Sequence, residues 1–148
     1  MRGDAGTQGR DAQARAERLV GAMLARDAFS AWLGVEVVEI APARCTVRMR
    51  VREEMLNGFG VCHGGIAYSL ADSALAFAAN THGTITVAVE NSIAYPAPVR
   101  AGDVLVAAAE EESASSRVAF YRVRVLNQHD EIVALFRGTV YRTRKELV

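Results

Sequence analysis

From about residue 64 to residue 81 the chain is apolar on nearly every side, Ala-rich, and interrupted by one carboxylate, Asp72. A run this long predicts a helix rather than a strand, with Gly83 just beyond it as a terminator. The periodicity changes on either side. Residues 45–52 alternate strictly between apolar and polar, which predicts a half-buried strand, and residues 35–40 are rich in β-branched side chains before a turn at Pro42. After the helix, the runs 85–95, 104–115, 117–128 and 131–143 all read as strands, joined by hairpin turns at 113–116 and 128–130. At the other end, residues 12–28 favour an amphipathic helix that places Leu19, Val20, Met23 and Leu24 on one face. Residues 28–33, with Phe29 and Trp32, read as an apolar connector. Residues 1–11 read as a disordered, polar, Gly-rich tail, and 53–62 as an irregular loop carrying Asn57, Gly58 and Gly60.

The order is therefore helix, two strands, a long helix and four strands, in a single α+β domain over 12–148. A helix apolar all round must be buried on most sides. Strands before and after it achieve that by wrapping one antiparallel sheet around it. Ala67, Ala71, Ala74 and Ala78 form a stripe of small side chains at helical spacing, which permits close approach. Pro96 and Pro98 fall just past a strand end, where a missing ladder donor does least harm.

Composition narrows the function. Just over half the residues are hydrophobic, which argues for a packed core, and 17 basic residues balance 17 acidic ones without clustering. No electrostatic footprint for nucleic acid is visible, and no run reaches the roughly 20 apolar residues of a membrane span. With no apolar leader at the start, a cytoplasmic protein is expected. Cys45, Cys62 and the three histidines sit in no metal-ligand spacing, so no metal is expected.

The chemistry concentrates around Asp72. An ionisable carboxylate in so apolar a helix is costly to desolvate unless it is paired or used. Tyr68 and Ser69, one turn back, could satisfy it. Upstream, Asn57 supplies an amide, His63 an imidazole, and Gly64 and Gly65 backbone N–H groups at a helix start, aligned with its dipole and unobstructed by a Cβ. A carboxylate and a set of donors on one element suit acyl chemistry.

Leu56-Asn57-Gly58, then Cys62-His63-Gly64-Gly65, then Ser69-Leu70-Ala71-Asp72-Ser73-Ala74 resemble the hotdog-fold thioesterases of the PaaI type, associated with phenylacetate degradation. The likeness continues through residues 80–83, 95–103 and 133–138, and so spans about 30 to 143. It implies a hotdog fold, an antiparallel sheet wrapped round a long central helix, here with an extra N-terminal helix. It also implies homodimers as the working unit, commonly homotetramers, and hydrolysis of acyl-CoA thioesters, typically of aromatic acyl groups such as phenylacetyl. Coenzyme A enters as part of the substrate, with no metal or prosthetic group. By the resemblance, Asp72 is nucleophile or general base, the latter favoured because it avoids a mixed anhydride. The Gly64 N–H, helped by Asn57, polarises the carbonyl. His63 either assists at the thioester or only anchors the loop. Gly65, Tyr68, Phe59, Arg117 and Arg142 are candidate substrate-binding residues, the arginines for phosphate groups and the rings for the acyl pocket. The family often carries a hydroxyl residue on the strand facing Asp72; that position falls here on Ala88 or Glu90, leaving Ser73 or Ser92 as substitutes.

Spacing adds one constraint. Gly64 and Asp72 are eight residues apart, about 12 Å along a helix rising 1.5 Å per residue. One carbonyl carbon cannot lie about 3 Å from both on a single helix, so a two-fold pairing must bring one of them from a second chain. Two alternatives remain on the same fold, a hydratase or dehydratase of acyl thioesters and a non-enzymatic acyl-CoA sensor. The first would use His63 with Asp72; the second usually lacks the carboxylate and carries an appended DNA-binding segment.

Overall fold

A computed structural model describes residues 4–147. Its framework is a six-stranded, wholly antiparallel sheet in the order β1-β2-β4-β5-β6-β3, built from β1 (Glu36–Ala41), β2 (Arg44–Arg50), β3 (Thr84–Ala94), β4 (Val104–Ala114), β5 (Val118–Leu126) and β6 (Ile132–Glu146). The sheet wraps around the central helix α3 (Gly64–Ala79), as expected for the hotdog fold. Strict alternation explains how. Along β5, Ala119, Tyr121, Val123 and Val125 point inward and are buried, while Phe120, Arg122 and Arg124 point out. The Ala67, Ala71, Ala74 and Ala78 stripe is buried to 2% exposure or less, so the strands approach the helix at close range.

The end of α3 is set by Asn80 rather than by Gly83. The Asn80 amide donates to Ala76 O (2.8 Å) and Thr86 O (2.9 Å), and its Oδ1 accepts from Thr86 N (2.9 Å). One buried side chain thus closes the helix and starts β3. Gly83, at φ +93°, makes the intervening turn.

Two expectations require correction. The N-terminal helix α1 runs Asp4–Leu24, so most of the segment expected as a disordered tail is helical; residues 1–3 lie outside the described residues. Side-chain contacts at helical spacing, Arg10 to Thr7 (3.5 Å) within that segment and Gln13 to Glu17 (2.8 Å) just after it, accompany helix where hydrophobic periodicity gives no signal. The same Gln13 donates to Ile40 O (2.6 Å), fixing α1 against β1, while Leu19 and Val20 are buried. Secondly, the expected connector at 28–33 is a short helix, α2 (Ala28–Leu33). Asp27 caps its start by accepting from Ser30 N (2.9 Å), and Gly34 ends it in the left-handed region at φ +79°. Six residues are too few to show a helical period, so only these two caps announced it.

β3 lies at one edge of the sheet and exposes Val87 (47%) and Val89 (63%). It also carries a bulge. Ala88 pairs with buried Val140, whereas Glu90 pairs with Thr139. Val89 is therefore an extra residue, and the inward-facing set shifts from Thr86 and Ala88 to Asn91 and Ile93. Among the described residues no helix is long and apolar enough to cross a membrane, and no group of three or more His, Cys, Asp or Glu could hold a metal ion.

Candidate active site

Asp72 sits midway along α3, half-buried, where the helix faces β3. Its partner is Asn91, whose Nδ2 donates to Asp72 Oδ1 (3.1 Å) and to Tyr68 Oη (3.0 Å). Burial raises the Asp72 pKa above the ordinary 3.8, and the Asn91 hydrogen bond opposes that rise. Asp72 also lines a mostly apolar cavity of about 330 Å³, walled by Met23 of α1, Leu75, Ala76 and Ala79 of α3, Val87 and Ala88 of β3, and Leu147. Larger hollows, of about 510 and 500 Å³, lie over the outer face of the sheet beside Ser92 and Arg137. Neither is lined by Asp72 or Gly64, so size does not decide here; the half-buried carboxylate does.

Sequence reasoning missed Asn91. Of the two strand positions it proposed, Ala88 lines the Asp72 cavity but offers no hydrogen bond, and Glu90 turns to the exposed face beyond the bulge. Ser69, proposed as a partner for Asp72, donates instead to Gly65 O (2.7 Å), and Ser73 pairs with Ser30 (Oγ to Oγ 3.0 Å). Ser92 lies on the exposed face opposite Arg137. The available signal for Asn91 was its residue type, since asparagine is depleted in strands and needs a reason to be there.

Gly138, opposite Asn91 on β6, makes the room. A Cβ at that position would lie 2.5 Å from Leu75 Cδ2 and 2.8 Å from Asn91 Oδ1. Gly138→Ala is therefore expected to lower stability by about 1–3 kcal/mol, as overpacking does, measurable by urea unfolding. A variant with unchanged midpoint and slope would contradict that crowding.

The donor set gathers at the tip of α3. His63 is the N-cap, its Nδ1 accepting from Gly65 N (2.9 Å). This is the anchoring role, and it uses up the Gly65 N–H. The Gly64 N–H has no acceptor among the described residues and stands at the positive end of the helix dipole. Tyr95 donates its hydroxyl to Gly64 O (2.8 Å), and a Cβ on Gly64 would lie 3.1 Å from that ring. Asn57 folds the preceding loop. Its Oδ1 accepts from Phe59 N (2.9 Å) and Val61 N (3.4 Å), which leaves Nδ2 without an acceptor among the described residues. Beside this tip is a cavity of about 270 Å³ lined by Cys62, Gly64, Ala67, Tyr95 and residues 96–99. Burial pushes the Cys62 thiol up to about 11, so it stays protonated and is a poor nucleophile.

Tyr68 meets the carboxylate group through Asn91 and packs edge-on against Phe136, with centroids 5.3 Å apart. The remaining candidates stand apart. Phe59 is 93% exposed and lines neither of these cavities. The Arg142 guanidinium bonds Glu111 (2.9 Å) and Ser115 O (3.2 Å), and Arg117 bonds Arg142 O (3.4 Å). Both arginines tie strands together within the chain; the Arg142 charge is met by Glu111, whereas Arg117 donates, among the described residues, to a backbone carbonyl alone.

Comparison with known proteins follows the same line. Residues 59–134 match the family model of the thioesterase superfamily. The acyl-coenzyme A thioesterase PaaI of Escherichia coli K12 is 38% identical over 121 residues, covering 82% of this chain and 86% of that protein. The structure of E. coli PaaI, from the phenylacetic acid degradation operon, superposes with a TM-score of 0.90 at 34% identity, covering 92% of this chain and 99% of that one. A point mutant of the phenylacetic acid degradation protein PaaI of Thermus thermophilus gives 0.76 at 43% identity, over 79% and 100%. A Streptococcus mutans protein solved with acetyl-CoA bound gives 0.73 at 25% identity, over 76% and 90%.

Proposed function

Because the chain belongs to the thioesterase superfamily, we propose that it hydrolyses acyl-CoA thioesters at a site completed by two protomers, with Asp72 as general base. The observation that carries this reading is a half-buried carboxylate, held by an amide, at the wall of an apolar cavity. A free helix-tip N–H lies on the same element, too far away for one thioester to reach both. The edge strand β3, with Val87 and Val89 exposed, suits antiparallel pairing with a second copy. Such pairing sets the two central helices side by side and antiparallel, and brings Gly64 of one protomer to Asp72 of the other. The outer face, where Phe120, Leu135 and Tyr141 are exposed among Arg122, Arg124 and Arg137, suits a further pairing of dimers into tetramers.

The reaction begins with the Gly64 N–H and the free Asn57 Nδ2, which donate to the thioester oxygen and stabilise the negative charge that develops there. Asp72 takes a proton from water as its oxygen attacks the carbonyl carbon. The tetrahedral intermediate collapses, the C–S bond breaks with its electron pair on sulfur, and the thiolate leaves unassisted, since thiols have pKa values near 8.5. The proton on Asp72 passes to sulfur or to solvent. No resident metal or prosthetic group is needed. His63 holds the tip in shape, and Tyr68 stands beside the base. Two unpaired thiols, Cys45 and Cys62, suit a cytoplasmic setting.

The cavity of about 330 Å³ sits at the small end of ligand sites. It suits a ring-sized acyl group rather than a long fatty chain, in keeping with phenylacetyl thioesters and phenylacetate degradation. Purified protein assayed for thiol release against phenylacetyl-, hydroxyphenylacetyl-, benzoyl-, hexanoyl- and acetyl-CoA should show the highest kcat/KM with the arylacetyl esters. Release from none of the five would overturn the thioesterase reading, and a preference for acetyl-CoA would overturn the aromatic one.

A further inference from the structure

The strand position expected to serve Asp72 is Ala88, which has no polar atom to offer. The bulge at Val89 brings Asn91 to the inner face instead. There its two amide protons are divided between Asp72 Oδ1 (3.1 Å) and Tyr68 Oη (3.0 Å). An ionised carboxylate only accepts, so this amide orientation is the one that ionised Asp72 requires. The opposite end of the side chain, Oδ1, is buried with no partner among the described residues and lies under Gly138, where a Cβ would press on it at 2.8 Å. Simple packing does not account for an asparagine here. A leucine would fill the same space without burying an unpaired acceptor. The geometry makes sense when the polar end facing α3 has work to do.

Resting on the reading of Asp72 as the base, we propose that Asn91 is its positioning residue. Its amide holds Oδ1 so that Oδ2 faces the attacking water, and it occupies a lone pair of Tyr68 Oη so that the phenolic proton points away from Asn91. Asn91 thereby gives Asp72 a polar neighbour on β3, where the Ala88 side chain offers none. It touches neither substrate nor the reacting atoms; it acts through Asp72. The hydrogen bond also opposes the rise that burial imposes on the Asp72 pKa, so removing it should carry the base further up the pH scale.

The test compares Asn91→Leu, Asn91→Asp and Asp72→Asn in the full-length protein, with phenylacetyl-CoA as substrate and kcat and KM measured across pH. Asn91→Leu should lower kcat by about 10- to 100-fold with KM little changed, as loss of one hydrogen bond to a charged group allows. It should also move the acid limb of kcat/KM up by about one pH unit. Asn91→Asp keeps the shape and sets a second carboxylate beside the first, so its limb should move up further. That variant carries the test if Asn91→Leu does not fold. Acid limbs equal to wild type in the folded variants, or a loss carried wholly by KM, would overturn the positioning role while a dead Asp72→Asn leaves the base assignment intact. An Asp72→Asn protein near wild-type rate would remove the base and this inference together.

Discussion

Asp72→Asn should lower kcat/KM for acyl-CoA hydrolysis by about a thousandfold while the protein becomes harder to unfold at neutral pH. The first effect is the loss of a general base, which typically contributes about 10²- to 10⁴-fold. The second follows from proton linkage. Burial raises the folded-state pKa of Asp72 above 3.8, so the folded protein holds this proton more tightly than the unfolded chain does. A group of this sign contributes most to stability below its unfolded pKa, and that contribution is lost as pH rises through the folded value. At pH 7 ionised Asp72 is therefore a burden on the fold, which asparagine removes. Thermal melts should show Asp72→Asn above wild type at pH 7, with the gap narrowing as pH falls toward the carboxylate range. For the same reason, wild-type kcat/KM should decline on the acid side at a pH above 3.8. A variant that keeps near wild-type activity sinks the catalytic assignment. A variant that melts lower at pH 7 contradicts the direction of the linkage.

Mixed dimers test whether the site is shared. Gly64→Pro deletes the free N–H at the first residue of α3, a position where proline is tolerated, and His63 before it already has the extended backbone (φ −58°, ψ 133°) that proline demands. Each of Asp72→Ala and Gly64→Pro should be inactive alone. In a verified hybrid dimer, one composite site carries both lesions and the other carries neither, so activity should return to about half of the wild-type dimer. If each protomer worked alone, every site in the hybrid would keep one lesion and nothing would return. Gly64→Ala separates the two consequences of proline. It keeps the N–H while placing a Cβ 3.1 Å from Tyr95, so it should retain far more activity than Gly64→Pro.

Much of this was legible in the residues, for reasons that can be stated. The central helix announced itself because total burial needs an unbroken apolar run, and β5 because one buried face forces alternation. Asp72 stood out by the same logic, as the charge that does not belong. What escaped was non-local. Asn91 was passed over in favour of positions 88 and 90, and the bulge at Val89, which sets Ala88 and Asn91 on the same side of the strand, has no glycine or proline to mark it. Arg142 looked like a free cation until Glu111, 31 residues earlier in the chain, came to meet it. The cavity beside Asp72 needs Met23 and Leu147, contributed from distant parts of the sequence, and no local pattern links them. α2 was hidden by its brevity, and the first turns of α1 by having no buried face.

The bulge also bears on how such a strand changes over time. With one surplus residue at Val89, the inward set of β3 depends on reading frame as much as on residue identity. Losing that residue would restore even pairing and turn either Ala88 or Asn91 away from the α3 side of the strand, giving the acid a new neighbour in one event. Small insertions and deletions within 88–90, rather than point replacements, are then the short route by which a hotdog strand of this kind exchanges one companion for its carboxylate for another.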